Sequence, residues 1–243
     1  MTLIQSRRRE AARISDGPLL VVVGMKREAA CAAGDGVHTL CSGANVSRLR
    51  AQLERMHDEK FSAVVSFGLA GGLDYGLRPG DVVIADEIVS AATRQATHRR
   101  FSDALTEGAA AKGCKTVAGA IVGVDEPAMN PSAKTHLRET AKAVAVDMES
   151  HLAAEFAHAR RLPFAAVRAI SDPAARALPP VAAKALTPQG DVDGVALARE
   201  LIRAPGQIGG LILAGMDSRA AFISLGRCGP LLGPLLRLVL ADL

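Results

Sequence analysis

Three runs, Leu19 to Val23, Ala63 to Phe67 and Phe164 to Ile170, are apolar or small at almost every position, and each leads into a glycine or a polar break. A strand with one face in water alternates apolar and polar residues. A strand buried on both faces reads as a continuous apolar run. These runs therefore demand a sheet covered on both sides. The covering material lies between them, in helical stretches over Lys26 to Ala33, Val46 to Glu59, Ser102 to Lys112, Ser132 to Thr140 and Ser150 to Arg161. Further strands are expected at Val37 to Cys41, Val82 to Val89, Thr116 to Val122 and Val144 to Val146. Strands alternating with helices in this way predict a three-layer α/β domain. Residues 1–18 read as a polar leader and residues 19–243 as a single domain. Pro173 to Asp193, rich in Ala and Pro, is the expected mobile loop.

Composition narrows the function classes. The formal charge of +4 is mildly basic, but aromatics make up 3% and Trp is absent. A nucleic-acid surface interleaves a basic stripe with stacking aromatics, so no nucleic-acid partner is expected. The cysteines Cys31, Cys41, Cys114 and Cys228 form no Cys-x-x-Cys pair and have no His at metal spacing. They read as reduced thiols of a cytoplasmic protein with no metal site. The first sixteen residues lack the apolar core of a signal peptide. Mean hydropathy is high, at +0.19, and the excess lies in the C-terminal third. Ile208 to Ile223 and Leu231 to Leu240 are apolar stretches. They fit helices packed on the sheet or at a subunit interface, or an apolar lip for a lipidic substrate, with peripheral membrane contact.

The breaks after the strands carry the chemistry, because ligands in open α/β sheets bind beyond the carboxyl ends of the strands. Val23-Gly24 is followed by Glu28, which is either a solvated helix residue or a carboxylate aimed at a ligand. Ser42-Gly43-Ala44-Asn45 is either a helix N-cap or an anion or water site. Gly68-Leu69-Ala70-Gly71-Gly72 lacks the dinucleotide spacing and is either a tight turn or a place where a ligand approaches backbone. Met148-Glu149 places a carboxylate beside a soft thioether. Arg168 pairs with a core carboxylate or holds an anion, and Asp172 before Pro173 starts a helix or carries a proton to a leaving group.

Taken in order, Val23-Gly24-Met25-Lys26-Arg27-Glu28, Ser42-Gly43, Gly68-Leu69-Ala70-Gly71-Gly72-Leu73, Arg78-Pro79-Gly80-Asp81-Val82-Val83, Val146-Asp147-Met148-Glu149 and Arg168-Ala169-Ile170-Ser171-Asp172 resemble the purine nucleoside phosphorylase and methylthioadenosine/S-adenosylhomocysteine nucleosidase superfamily. The form Asp147-Met148-Glu149-Ser150-His151 and the apolar C-terminal region resemble its hopanoid-associated phosphorylase branch, which releases adenine from adenosylhopane. The resemblance implies a central mixed β-sheet flanked by helices and a homo-oligomer. It gives Asp172 the role of general acid toward the purine, with Ser171 orienting it. Glu149 would bind the ribose hydroxyls and Met148 would pack on the sugar. Glu28 would activate the nucleophile, and Ser42, Gly43 and Arg168 would line its side. Gly71 and Gly72 would admit the nucleoside.

Three departures from the nucleosidase pattern matter. Leu69 stands where a hydroxyl is usual, Asp125-Glu126-Pro127-Ala128 replaces the aromatic at the base with Asp125 as a substrate contact, and Lys26 and Arg27 replace acidic residues. Hydrolysis and phosphorolysis both remain open, with phosphate as co-substrate in the second and no other cofactor. The alternatives carried forward are an ordinary nucleosidase, a general purine nucleoside phosphorylase and a non-catalytic nucleoside-binding protein.

Overall fold

A computed structural model describes residues 17–179 and 194–233. The leader at 1–16, the 180–193 part of the expected loop, and the apolar residues 234–243 lie outside the described residues.

The chain runs β1 (Leu19–Val23), α1 (Lys26–Ala32), β2 (Val37–Cys41), α2 (Val46–Arg55), β3 (Ala63–Gly72), β4 (Val82–Val89), β5 (Arg94–Ala96), α3 (Arg99–Ala111), β6 (Thr116–Gly123), α4 (Pro131–Ala141), β7 (Ala145–Asp147), α5 (Ser150–Ala159), β8 (Phe164–Asp172), α6 (Gly194–Arg203) and α7 (Ile208–Cys228). β1 shows why the sheet is covered on both faces. Its odd residues Leu19, Val21 and Val23 pack with Phe67, Phe101, Leu105, Phe222 and Leu225. Its even residues Leu20 and Val22 pack with Leu49, Leu53, Leu152 and Phe164 on the opposite face. α1, α3 and α7 thus cover one side, while α2 and α5 cover the other. A smaller cluster around Leu73, Val122 and Val146 seats α4.

The sheet is mixed. β2, β1, β3 and β8 run parallel to one another, and β8 pairs antiparallel with β4. β4, β6 and β7 are parallel, and β7 returns antiparallel to β3. β3, β8, β4, β6 and β7 therefore close into a ring, with β1–β2 and β5 as wings. Closure brings the carboxyl ends of β3 and β8 against β7, so residues far apart in sequence meet at one mouth.

Two boundaries differ from the sequence reading. Gly68 to Gly72 is not a turn but the second half of β3, paired with β8 through a register shift between Ala70 and Gly71. Its glycines permit the approach of buried groups: a Cβ on Gly68 would stand 2.5 Å from Arg168 Nη1 and 2.7 Å from Glu28 Oε1. β5, a three-residue strand hydrogen-bonded to β4, carries no apolar signal and was not anticipated.

Phe101 is fully buried under α3, whereas Ile223 on α7 is half exposed. Phe101→Ala is expected to cost about 3–5 kcal/mol, and Ile223→Ser within about 0.5 kcal/mol of zero. Urea midpoints of the two variants against the parent check the contrast.

Candidate active site

One cleft opens at the mouth of the ring, lined by the ends of β1, β3, β7 and β8. Glu28 lies in the first turn of α1 and turns back on itself. Its Oε2 accepts from the N–H groups of Gly24 and Met25, and its Oε1 from the N–H of Leu69, each at 2.8 Å. The carboxylate is thus fixed by backbone of both β1 and β3. Burial pushes its pKa up against the opposing pull of Arg168 and the three N–H groups. A carboxylate with raised proton affinity is suited to taking a proton from water.

Glu149 faces Glu28 across Gly24, where a built Cβ would lie 2.7 Å from Glu149 Oε1 and 3.3 Å from Glu28 Oε2. Glu149 is the N-cap residue of α5, yet its side chain makes no capping bond. It is committed to the cleft instead, and its only neutral hydrogen-bonding neighbour among the described residues is Ser42 Oγ at 3.4 Å. Burial pushes its pKa up to about 7. Arg168 and the Ser42 bond oppose the shift, while Asp147 and Glu28 add to it.

Arg168, wholly buried on β8, ties these acids together. Its Nε lies 2.5 Å from Asp147 Oδ2 and its Nη2 3.6 Å from Glu149 Oε2. Nη2 also donates to Ser66 Oγ at 2.6 Å and Ser150 Oγ at 3.2 Å. Nη1 has no hydrogen-bond partner among the described residues and points toward the Gly68–Glu28 side.

Asp172 ends β8 rather than starting a helix, because the chain after Pro173 is irregular. Ser171 Oγ donates to Asp172 Oδ1 at 2.7 Å and reaches Ala70 O at 3.3 Å. Oδ2 is ion-paired with Lys134 of α4, whose ammonium also donates to Pro173 O at 2.9 Å and Arg176 O at 3.2 Å. Met148 is half-buried at the cleft wall. Val124, Pro127, Ala128 and Leu178 make the remaining surface apolar, and no aromatic residue lines it among the described residues.

Of the residues nominated from sequence, Glu28, Gly71, Met148, Glu149, Ser171 and Asp172 line this one cleft. Ser42 and Arg168 stand behind the wall and act on it through Glu149. Gly43 has φ of 71° and shapes the turn before α2, whose cap is Asn45. Gly72 packs against the Asp172 backbone rather than lining the cleft. Asp125 belongs to a neighbouring cavity: its side chain is 71% exposed and bonds His151 Nε2 at 3.1 Å. Val124 lines both cavities and Asp125 only the second, so the structure does not place Asp125 in the cleft. Lys26 and Arg27 face solvent, and the Arg27 guanidinium stacks on Phe222 at 4.0 Å. Sequence reasoning missed Lys134, Asp147, Ser66 and Ser150. Lys134 shares the inward stripe of α4 with Leu137 and Ala141, and a lysine at such a position signals a buried acid opposite it.

The raised Glu149 value has a stability consequence. The folded state holds a proton that the unfolded chain, with its ordinary value of 4.5, releases. Its contribution therefore favours folding below 4.5 and is lost as pH rises through about 7. Glu149→Gln is expected to flatten the fall in stability across that window, read from urea midpoints at closely spaced pH. An unchanged slope in the variant would remove Glu149 as the source.

The geometry has relatives among solved structures. 5′-Methylthioadenosine/S-adenosylhomocysteine nucleosidase of Campylobacter jejuni is 16% identical with a TM-score of 0.60, covering 88% of this chain and 99% of its own. The Neisseria meningitidis enzyme of the same name, in complex with methylthio-immucillin-A, is 18% identical with a TM-score of 0.62, covering 92% and 99%. Futalosine hydrolase of Helicobacter pylori is 14% identical with a TM-score of 0.62, covering 87% and 97%. At these identities the likeness establishes the fold. No curated protein sequence matches the chain. Residues 19–200, most of the sequence, match the family model of the phosphorylase superfamily, and the protein is accordingly an enzyme of that superfamily.

Proposed function

We propose that the protein hydrolyses the N-glycosidic bond of an adenine nucleoside carrying a bulky apolar 5′ substituent, with adenosylhopane of hopanoid biosynthesis as the substrate suggested by the branch resemblance. The observation that carries the reading is the division of one cleft. Glu28 and Glu149 face each other above Gly24, Asp172 stands at Gly71, and the thioether of Met148 lines the same wall. Glu149 binds the ribose hydroxyls, Glu28 takes a proton from the attacking water, and a proton delivered through Asp172 lets the base leave neutral. Flanking carboxylates stabilise the positive charge that develops on the sugar.

Water is favoured over phosphate by charge. The guanidinium of Arg168 is already engaged by Asp147 and Glu149, and a dianion would have to compete with those carboxylates for it. The basic residues of the first loop, Lys26 and Arg27, face solvent and leave this balance unchanged. The structural neighbours are named as nucleosidases and a hydrolase, in keeping with hydrolysis.

The apolar 5′ group is supported by α7. Its C-terminal half packs on the core through Ala221, Phe222, Leu225 and Cys228, while Ile208, Ile212, Leu213 and Met216 are exposed. The segment carrying the cleft residue Leu178 leans on this half: Arg176 is ion-paired with Asp217, and a Cβ on Gly210 would touch Pro179 at 3.4 Å. An apolar surface therefore adjoins the cleft rim and supports peripheral contact with a lipid. Ile208–Leu231 is long and apolar enough to cross a membrane, but the packing of its second half favours a surface role.

Incubation with adenosylhopane and with 5′-methylthioadenosine, each with and without phosphate, tests the reading. Adenine release from adenosylhopane without phosphate is expected, and Asp172→Asn should slow it by about 10²–10⁴-fold. A phosphorylated sugar formed only with phosphate would make the enzyme a phosphorylase. Turnover of methylthioadenosine alone would remove the lipid, and ligand binding with no turnover of either would leave a nucleoside-binding protein.

A further inference from the structure

Asp172 is bonded as a carboxylate. Ser171 donates to one oxygen and Lys134 to the other, and an oxygen that accepts from an ammonium does not itself carry the acidic proton. The base nevertheless has to receive a proton when it leaves. The nearest proton belongs to Lys134, which is 1% exposed and has all three donors engaged, on Asp172 Oδ2, Pro173 O and Arg176 O. A lysine is placed behind Asp172 by α4, an element with no residue on the cleft wall among the described residues. A structural cation buried this deeply would be an expensive way to anchor a loop, because its ion pair returns little net stability.

We infer that Lys134 is the proton source for the departing base, with Asp172 as the relay, an inference that rests on the N-glycosidase reading above. As the C1′–N9 bond breaks, its electron pair passes to the purine and raises the basicity of the ring. Lys134 Nζ gives a proton to the Asp172 carboxylate, which gives one to the ring nitrogen. The base leaves neutral, Asp172 is again a carboxylate, and Lys134 is left as the free amine. Water contributes its hydroxyl to C1′ and its proton to Glu28. Exchange with solvent after product release returns the proton from Glu28 and reloads Lys134. Lysine suits this part because an ammonium can release a proton, whereas a guanidinium keeps its own.

The test compares two substrates with the same sugar and the same 5′ group: 5′-hexylthioadenosine, and the 4-nitrophenyl riboside bearing a 5-hexylthio group. Nitrophenolate leaves without a proton. Lys134→Arg keeps the charge and the ion pair but cannot release its proton, and Lys134→Gln keeps donors without charge. Both variants are expected to lose at least about 100-fold on the adenine nucleoside, to retain nitrophenyl release close to the parent, and to melt as single cooperative transitions. In an Asp172→Asn background, Lys134→Gln should cost nothing further. Lys134→Arg with parental turnover of the adenine nucleoside would overturn the inference, as would equal losses on both substrates in both variants. A parent enzyme that cleaves neither substrate would instead overturn the N-glycosidase reading and the inference with it.

Discussion

The structure is organised around a guanidinium that has no route to water. Arg168 lies in the middle of β8, and removing its charge from solvent is tolerable only because Asp147 and Glu149 approach it and the hydroxyls of Ser66 and Ser150 accept its hydrogen bonds. Those groups come from β7, the start of α5, and β3. The ion pair thus fixes the relative position of three ring strands as well as the electrostatics of the cleft. Removing one partner of such a pair leaves an uncompensated buried charge worth about 3–5 kcal/mol. The same guanidinium lies beside Glu28, whose own bonds run to the backbone of β1 and β3. Fold and site are therefore not separable here, since the residues that close the ring also charge the cleft.

Much of this was legible in the sequence because burial leaves a mark on composition. Leu19 to Val23 and Phe164 to Ile170 could only be strands covered on both faces, and the three-layer arrangement follows. Glu28, Met148, Glu149, Ser171 and Asp172 could be singled out because each follows closely on a strand end, where the architecture gathers ligands. What could not be read was the consequence of ring closure. Gly68 to Gly72 looked like a break because glycine is a poor strand former. It continues β3 because Arg168 and Glu28 press against it from outside, a tertiary demand that local propensity does not contain. Asp125 adjoins the cleft in sequence but turns into the next cavity. Lys134 lies 38 residues from the acid it pairs with, and only its place on the inward stripe of α4 hinted at a partner.

The cleft wall is aliphatic at two places where the sequence resemblance leads one to expect a hydroxyl or an aromatic ring. Leu69 contributes its N–H to Glu28 and leaves its side chain as apolar wall. Pro127 and Ala128 add aliphatic surface to the same cleft. Under the proposed function, selectivity for the base rests on polar contacts at its edge more than on stacking, which concentrates discrimination in the Ser171–Asp172–Lys134 chain of hydrogen bonds.

Ring closure has a further effect on how molecules of this protein meet each other. A strand's unpaired backbone edge is a template for another strand, and sheets that expose long edges tend to grow from chain to chain. Five of the eight strands of this sheet have neighbours on both sides through the ring, and β1 is covered by β2 and β3. The two remaining edges belong to β2 and to β5, which is three residues long and begins with Arg94, held by Glu87 and by the carbonyl of Ala141. A short edge pinned by a charged side chain is a poor template, so this wing resists stacking into fibrils.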